Sequence, residues 1–195
     1  MQIEEFKNIM DSHNITSQST HVGFEALQDT KNIVERAKKL NIKHVIVPAP
    51  PAKKDGDFSN TFEMTEEEWT AFGKDLSSYV SQFEDEGLTL GYHNHSYEFI
   101  ALPSGKFPIE CMMEHNENLK FEIDLGWATA GGVDPLPWVE KYSNKIISCH
   151  LKDFFSEDKD MLDHDNQSAV GDGFIDWNTL ILALKKNGCK LFILE

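Results

Sequence analysis

The sequence predicts an α/β fold, a parallel sheet with helices packed outside it. Two features carry that expectation. Short apolar runs rich in β-branched residues alternate with longer amphipathic stretches, the rhythm of repeated strand and helix units. The clearest run, KHVIVPAP at 43–50, is apolar at successive positions and is stopped by prolines, as a parallel strand buried on both faces requires. With 195 residues, 40% hydrophobic and 26% charged, the chain has the balance of a single globular domain with one substantial core.

The elements follow in order. Ile3, Phe6, Ile9 and Met10 recur at helical spacing and His13 and Asn14 end the run, so the chain opens on a short amphipathic helix. A short extended piece at 15–22 leads to a second amphipathic helix at 26–40, with Lys38 and Lys39 in its last turn. After the strand at 43–50 comes a polar loop at 51–62. Thr65 followed by three glutamates then makes a capping-box start for a helix reaching Glu86, and Gly87 closes it. The same rhythm continues with strands at 88–95, 120–124, 146–150 and 190–195. Helices are expected near 109–115, near 135–141 and at 176–187, and a long acidic loop at 152–172, whose segment 156–165 reads as solvated.

The formal net charge of -15, from 33 acidic and 18 basic residues, repels phosphate backbones and anionic headgroups, which argues against nucleic acid as a partner. Cys111, Cys149 and Cys189 lie far apart with no CxxC pair and read as buried thiols in a reducing compartment. The first residues lack a basic start and an apolar run, and no stretch approaches the roughly 18 apolar residues of a membrane span, so a cytoplasmic protein is expected.

In a parallel barrel the chemistry sits at the carboxyl ends of the strands, because the interior is filled by packed side chains. Here those ends read GYHNHSYEF at 91–99, FEIDLGW at 121–127, ISCHLKD at 147–153 and LFILE at 191–195, each carrying a His or a carboxylate. Period-two alternation places Asp124 with Glu122, His150 with Ser148 and Lys152, Glu195 with Ile193, and His93 with His95 on one face each. Singly, each has a bland alternative: a strand-end His bonding backbone, an Asp capping a turn, a frayed terminal Glu. The HxH pair followed by Glu98, and an imidazole inside the apolar IISCHL run, favour a site. Two Glu, one Asp and one His form a mixed oxygen and nitrogen donor set that suits Mn²⁺, Co²⁺, Mg²⁺ or Zn²⁺ and not Cu(I) or an iron–sulfur cluster. His21, His44, His115 and His164 receive no role.

At these residues the chain resembles the sugar phosphate isomerase/epimerase family, the xylose isomerase-like or endonuclease-IV-like barrels. The matching pieces are LGYHNHxxEF, EIDLGWATAGGVDP, HLKD, GDGFIDW and the strand ending in Glu195. The resemblance implies a (β/α)8 TIM barrel and a divalent ion held by Glu98, Asp124, His150 and Glu195. Glu98 and Glu195 would be the proton-transfer pair, with His93 or His95 the alternatives to Glu98 as ligand. It places His93, His95, Trp127 and Lys152 around the substrate, Lys152 on an anionic oxygen and Trp127 on the sugar's apolar face, and makes the GDG at 171–173 a turn before the last helix. The implied activity is isomerisation or epimerisation of a small sugar, sugar phosphate or polyol by proton transfer next to a carbonyl. An inosose or dehydroshikimate type of dehydratase begins with the same step.

Counting back from LFILE as the eighth strand leaves six, the segment near 17–22 being the third. The expectation is therefore an incomplete barrel of about six parallel strands, truncated at both ends relative to a full one. Such a sheet has two unpaired edges, which a second copy would cover as a homodimer. A non-catalytic fragment that assembles or binds sugar is the competing expectation.

Overall fold

A computed structural model of the chain describes residues 3–52, 58–157, 160–161 and 164–195. Helix α1 (Ile3–Ser12) precedes the short strand β1 (Ser19–His21), then α2 (Thr30–Lys39) and β2 (His44–Val47). Next come α3 (Glu66–Ser78), α4 (Val80–Glu84), β3 (Thr89–His93), α5 (Pro108–Met113), β4 (Lys120–Asp124), α6 (Leu125–Ala130) and α7 (Leu136–Lys141). The chain continues through β5 (Ile146–Leu151), a small hairpin of β6 (Asp153–Phe154) with β7 (Gln167–Ser168), then α8 (Trp177–Lys186) and β8 (Leu191–Leu194).

Six strands form one sheet in the order β1-β2-β3-β4-β5-β8, parallel throughout, the incomplete barrel the sequence predicts. The sheet is strongly curled. In a flat sheet β1 and β4 would lie about 14 Å apart, three steps of about 4.8 Å, yet His21 on β1 hydrogen-bonds Glu122 on β4 at 2.6 Å. The convex face is the core: Val45, Val47, Leu90, Tyr92, Phe121, Ile123, Cys149 and Leu151 pack against the helices. Their alternation partners, among them His93, Glu122, Asp124, Ser148 and His150, are buried polar residues on the concave face. All three cysteines are buried.

The elements depart from expectation in several places: the helix expected at 26–40 begins only at Thr30, after a 3₁₀ segment at Phe24–Asp29, and the strand expected at 88–95 stops at His93. The helix expected from 65 to 86 keeps its capping box at Thr65 and Glu68 but breaks at Tyr79. Ser78 lies at the break and donates its hydroxyl to Asp75 O, competing with the helical ladder. Gly87 closes the second piece with φ +72°, a conformation glycine adopts without a Cβ penalty. Ile147, on the face opposite Ser148 and His150 by strand alternation, falls at a register shift between β4 and β5 and is half-buried. The acidic loop at 152–172 contains the β6–β7 hairpin, and residues 158, 159, 162 and 163 of its solvated segment lie outside the described residues. No helix among the described residues is long and apolar enough to cross a membrane.

Helix α6, too short to show a periodicity, follows β4 without a break, its first turn capped by Asp124. Gly126 makes that turn possible, because a Cβ there would lie 2.5 Å from Lys152 O and 2.7 Å from Lys152 Cβ. Gly126→Ala is expected to cost about 1–3 kcal/mol in urea unfolding through this overpacking, and a loss below the error of the measurement would mean that β5 and α6 separate freely.

Candidate metal centre

Four strand ends converge on the concave face. His93 ends β3, Asp124 ends β4, His150 is the penultimate residue of β5, and Glu195 follows β8, its N–H donating to Leu151 O at 3.1 Å so that the ladder continues through it. One ligand atom from each of His93, Asp124, His150 and Glu195 lies within 4.8 Å of all the others. Two imidazoles and two carboxylates form a donor set suited to a borderline divalent ion. Two of these residues also carry a buried atom without a hydrogen bond, Asp124 Oδ2 and His93 Nδ1. Buried polar atoms are almost always paired, so two orphans in one donor cluster fit a cation between them.

The carriers of these groups are themselves pinned. Asp124 Oδ1 accepts the Trp127 N–H at 2.8 Å. The Asn94 side chain bridges β3 to β4, accepting from Asp124 N at 2.9 Å and donating to Asp124 O at 3.0 Å. Burial pushes the Asp124 carboxyl up to about 7, and burial drives the His93 imidazolium well below its ordinary range with help from neighbouring imidazoles. The hydrogen bond from His150, with Lys152 nearby, holds Glu195 down at about 2. Burial opposes a charged His150, but Glu122 and Glu195 outweigh it and raise the imidazole to about 9.

A wall of aromatic and cationic groups stands beside it. Lys152 Nζ lies 3.2 Å from Glu195 Oε1 and 4.9 Å from the Trp127 ring centroid. The His95 ring stacks on Tyr97 at 5.5 Å and stands 6.0 Å from Trp127. Burial lowers His95 to about 4, so it is a neutral imidazole near pH 7.

Glu98, which the resemblance places among the ligands, is outside the cluster. After His93 the chain turns into a short 3₁₀ segment, Tyr97–Phe99, in which Glu98 is fully buried. There it accepts the Tyr92 hydroxyl and the His95 N–H, the latter at 2.8 Å. Tyr92 faces the helix layer, and the group of converging ligand atoms contains His93 and not Glu98. For protein loaded with a divalent ion and dialysed, Glu98→Gln is expected to leave the ion content unchanged while His93→Ala lowers it at least about tenfold, read by elemental analysis; the reverse pattern would make Glu98 the ligand.

Sequence reasoning gave no role to Glu122 or His21. Alternation already puts Glu122 on the face of Asp124, and a carboxylate in the barrel layer normally filled by branched apolar residues is a signal. His21 left none, since its contact spans 101 positions and exists only because the sheet curls.

A family model described as xylose isomerase-like TIM barrel matches residues 1–195. Among curated proteins the chain is 26% identical over 150 residues to an inosose dehydratase of Clostridium perfringens, covering 70% of this chain and 50% of that one. The chain spans about half the length of the curated relatives it matches. A solved sugar phosphate isomerase/epimerase of Parabacteroides distasonis superposes with TM-score 0.74 at 19% identity, covering 100% of this chain and 68% of that chain. The IolI protein with a bound zinc atom superposes with TM-score 0.74 at 18% identity, covering 100% and 72%.

Proposed function

We propose, starting from the fact that the chain belongs to the xylose isomerase-like TIM-barrel family, that it serves a divalent-metal enzyme which removes a proton beside the carbonyl of a small sugar or polyol. The observation that carries this reading is the convergence of His93, Asp124, His150 and Glu195 with two orphaned donor atoms. These four would hold Mn²⁺, Co²⁺, Mg²⁺ or Zn²⁺, which when bound supplies Lewis acidity to neighbouring carbonyl and hydroxyl oxygens.

The remaining steps belong to side chains of this chain. Glu195, ionised and on the exposed side of the cluster, accepts the proton from carbon. The Lys152 ammonium beside it holds the oxygen that gains negative charge. Trp127 presents an apolar face to the C–H side of the sugar, and neutral His95 exchanges hydrogen bonds with a hydroxyl. Return of the proton to the neighbouring carbon gives isomerisation, and its delivery to the opposite face of the same carbon gives epimerisation. The inosose dehydratase relatives favour a second reading, in which the carbanion expels the hydroxyl on the next carbon, which leaves as water with the proton that Glu195 took from carbon.

Ketoses and inososes incubated with Mn²⁺-loaded protein in D₂O test both readings. Deuterium should enter beside the carbonyl, should stop with a chelator, and should slow about 10²-fold in Lys152→Met. A product lighter by one water assigns dehydration. Absence of exchange on every ketose and inosose would end the enzymatic reading.

A further inference from the structure

One layer below the cluster, Glu122 is a fully buried carboxylate that the proposed reaction does not use. Its surroundings are built for a charge. Oε1 faces His21 Nε2 at 2.6 Å and His150 Nε2 at 3.1 Å, and Oε2 accepts the Ser148 hydroxyl at 2.8 Å. His93 Nδ1 stands further off, at 3.8 Å. The two nitrogens of His150 therefore face opposite ways: Nδ1 meets Glu195, a member of the upper cluster, at 2.7 Å, and Nε2 meets Glu122.

We propose that Glu122 is a positioning residue for the metal centre: it takes the Nε2–H of His150, fixing the tautomer and ring angle that leave the Nδ1 lone pair aimed at the ion, while Ser148 and His21 fix Glu122. The inference rests on the metal reading of the upper cluster. A ligating imidazole needs its second N–H engaged, because an unheld ring rotates and exchanges tautomers, and a carboxylate partner also makes the imidazole a stronger donor. Glu122 meets both needs. Ser148 holds one oxygen, so the other stays turned toward His150. His21 closes the third side from β1, which ties the orientation of Glu122 to the curl of the sheet. Three imidazoles and one carboxylate in this layer also resemble a second cation site. A neutral imidazole offers one lone pair, however, and His150 spends it on the upper cluster, so the lower group acts as support.

The test is divalent-ion affinity of the full chain, measured by competition with a chelating dye for Zn²⁺ and by the visible spectrum of the Co²⁺-loaded protein. Glu122→Ala should weaken both ions about 10–100-fold and alter the Co²⁺ spectrum, with the far-ultraviolet circular dichroism of the metal-free protein unchanged. Ser148→Ala and His21→Ala, which keep Glu122 but free it to turn, should weaken binding a few-fold, and they carry the test if Glu122→Ala does not fold. Wild-type affinity in all variants that fold overturns the positioning role alone. Absence of ion binding by the wild type overturns the metal reading and this inference with it. A stoichiometry of two ions per wild-type chain, falling to one in His21→Ala, would replace support by a second cation site.

Discussion

Asp124→Asn is expected to stabilise the metal-free protein at pH 8 while abolishing its capacity for a divalent ion. The carboxyl is buried, one oxygen accepts a single backbone N–H, and the other has no partner. Its charge is therefore unfavourable in the fold, and burial raises it from an ordinary 3.8 to about 7. A carboxyl raised on folding imposes no penalty below its unfolded value. The penalty grows as pH climbs between the two values and is constant above the higher one. At about 1.4 kcal/mol per pKa unit the full penalty is on the order of 4 kcal/mol, and relaxation around a neutral amide leaves a gain of about 2 kcal/mol for asparagine at pH 8. Urea unfolding with chelator present checks it: the advantage of Asp124→Asn should shrink between pH 8 and pH 4. With Mn²⁺ added the order should reverse, because an ion stabilises only the chain that binds it. An advantage independent of pH would mean that the orphan oxygen is solvated.

The opposition between stability and function in that residue also explains what could be read from sequence. Strands buried on both faces announce themselves through apolar runs, and the rule that chemistry sits at strand ends singles out Asp124, His150 and Glu195 without coordinates. Choosing between His93 and Glu98 requires the path of the chain after β3, where a 3₁₀ turn too short for a periodic signature brings Glu98 to the Tyr92 hydroxyl and the His95 N–H. Asn94 was hidden for a different reason. Its side chain crosses from β3 to β4, and single-sequence patterns carry no information on cross-strand partners 30 residues away. The break at Tyr79 and the short helix α6 were lost because local competition and capping, not hydrophobic period, decide them.

Removing the Asp153 carboxylate should be strongly destabilising although it lies outside the candidate metal centre. Asp153 follows Lys152 and is almost wholly buried. One oxygen accepts the N–H of Phe154 at 2.9 Å and of Ile175 at 3.2 Å, and the other accepts those of Gly171 at 2.9 Å and Gly173 at 3.3 Å. The GDG turn thus closes on a buried carboxylate of the chain itself. Asp153→Ala strands backbone donors around a void, and a loss of about 3–5 kcal/mol is expected. The turn also dictates its glycines. Gly171 has φ +94°, and a Cβ on Gly173 would lie 2.2 Å from Asp153 Oδ1 and 2.4 Å from Phe154 O. Gly173→Ala should then cost about 2–3 kcal/mol by forcing the carboxylate aside. Since part of that clash is with the group Asp153→Ala deletes, the double variant should be less destabilised than the sum of the singles by about 1 kcal/mol. Strict additivity in urea unfolding would show that the alanine at 173 is accommodated by backbone movement, and that Asp153 and the turn are held independently.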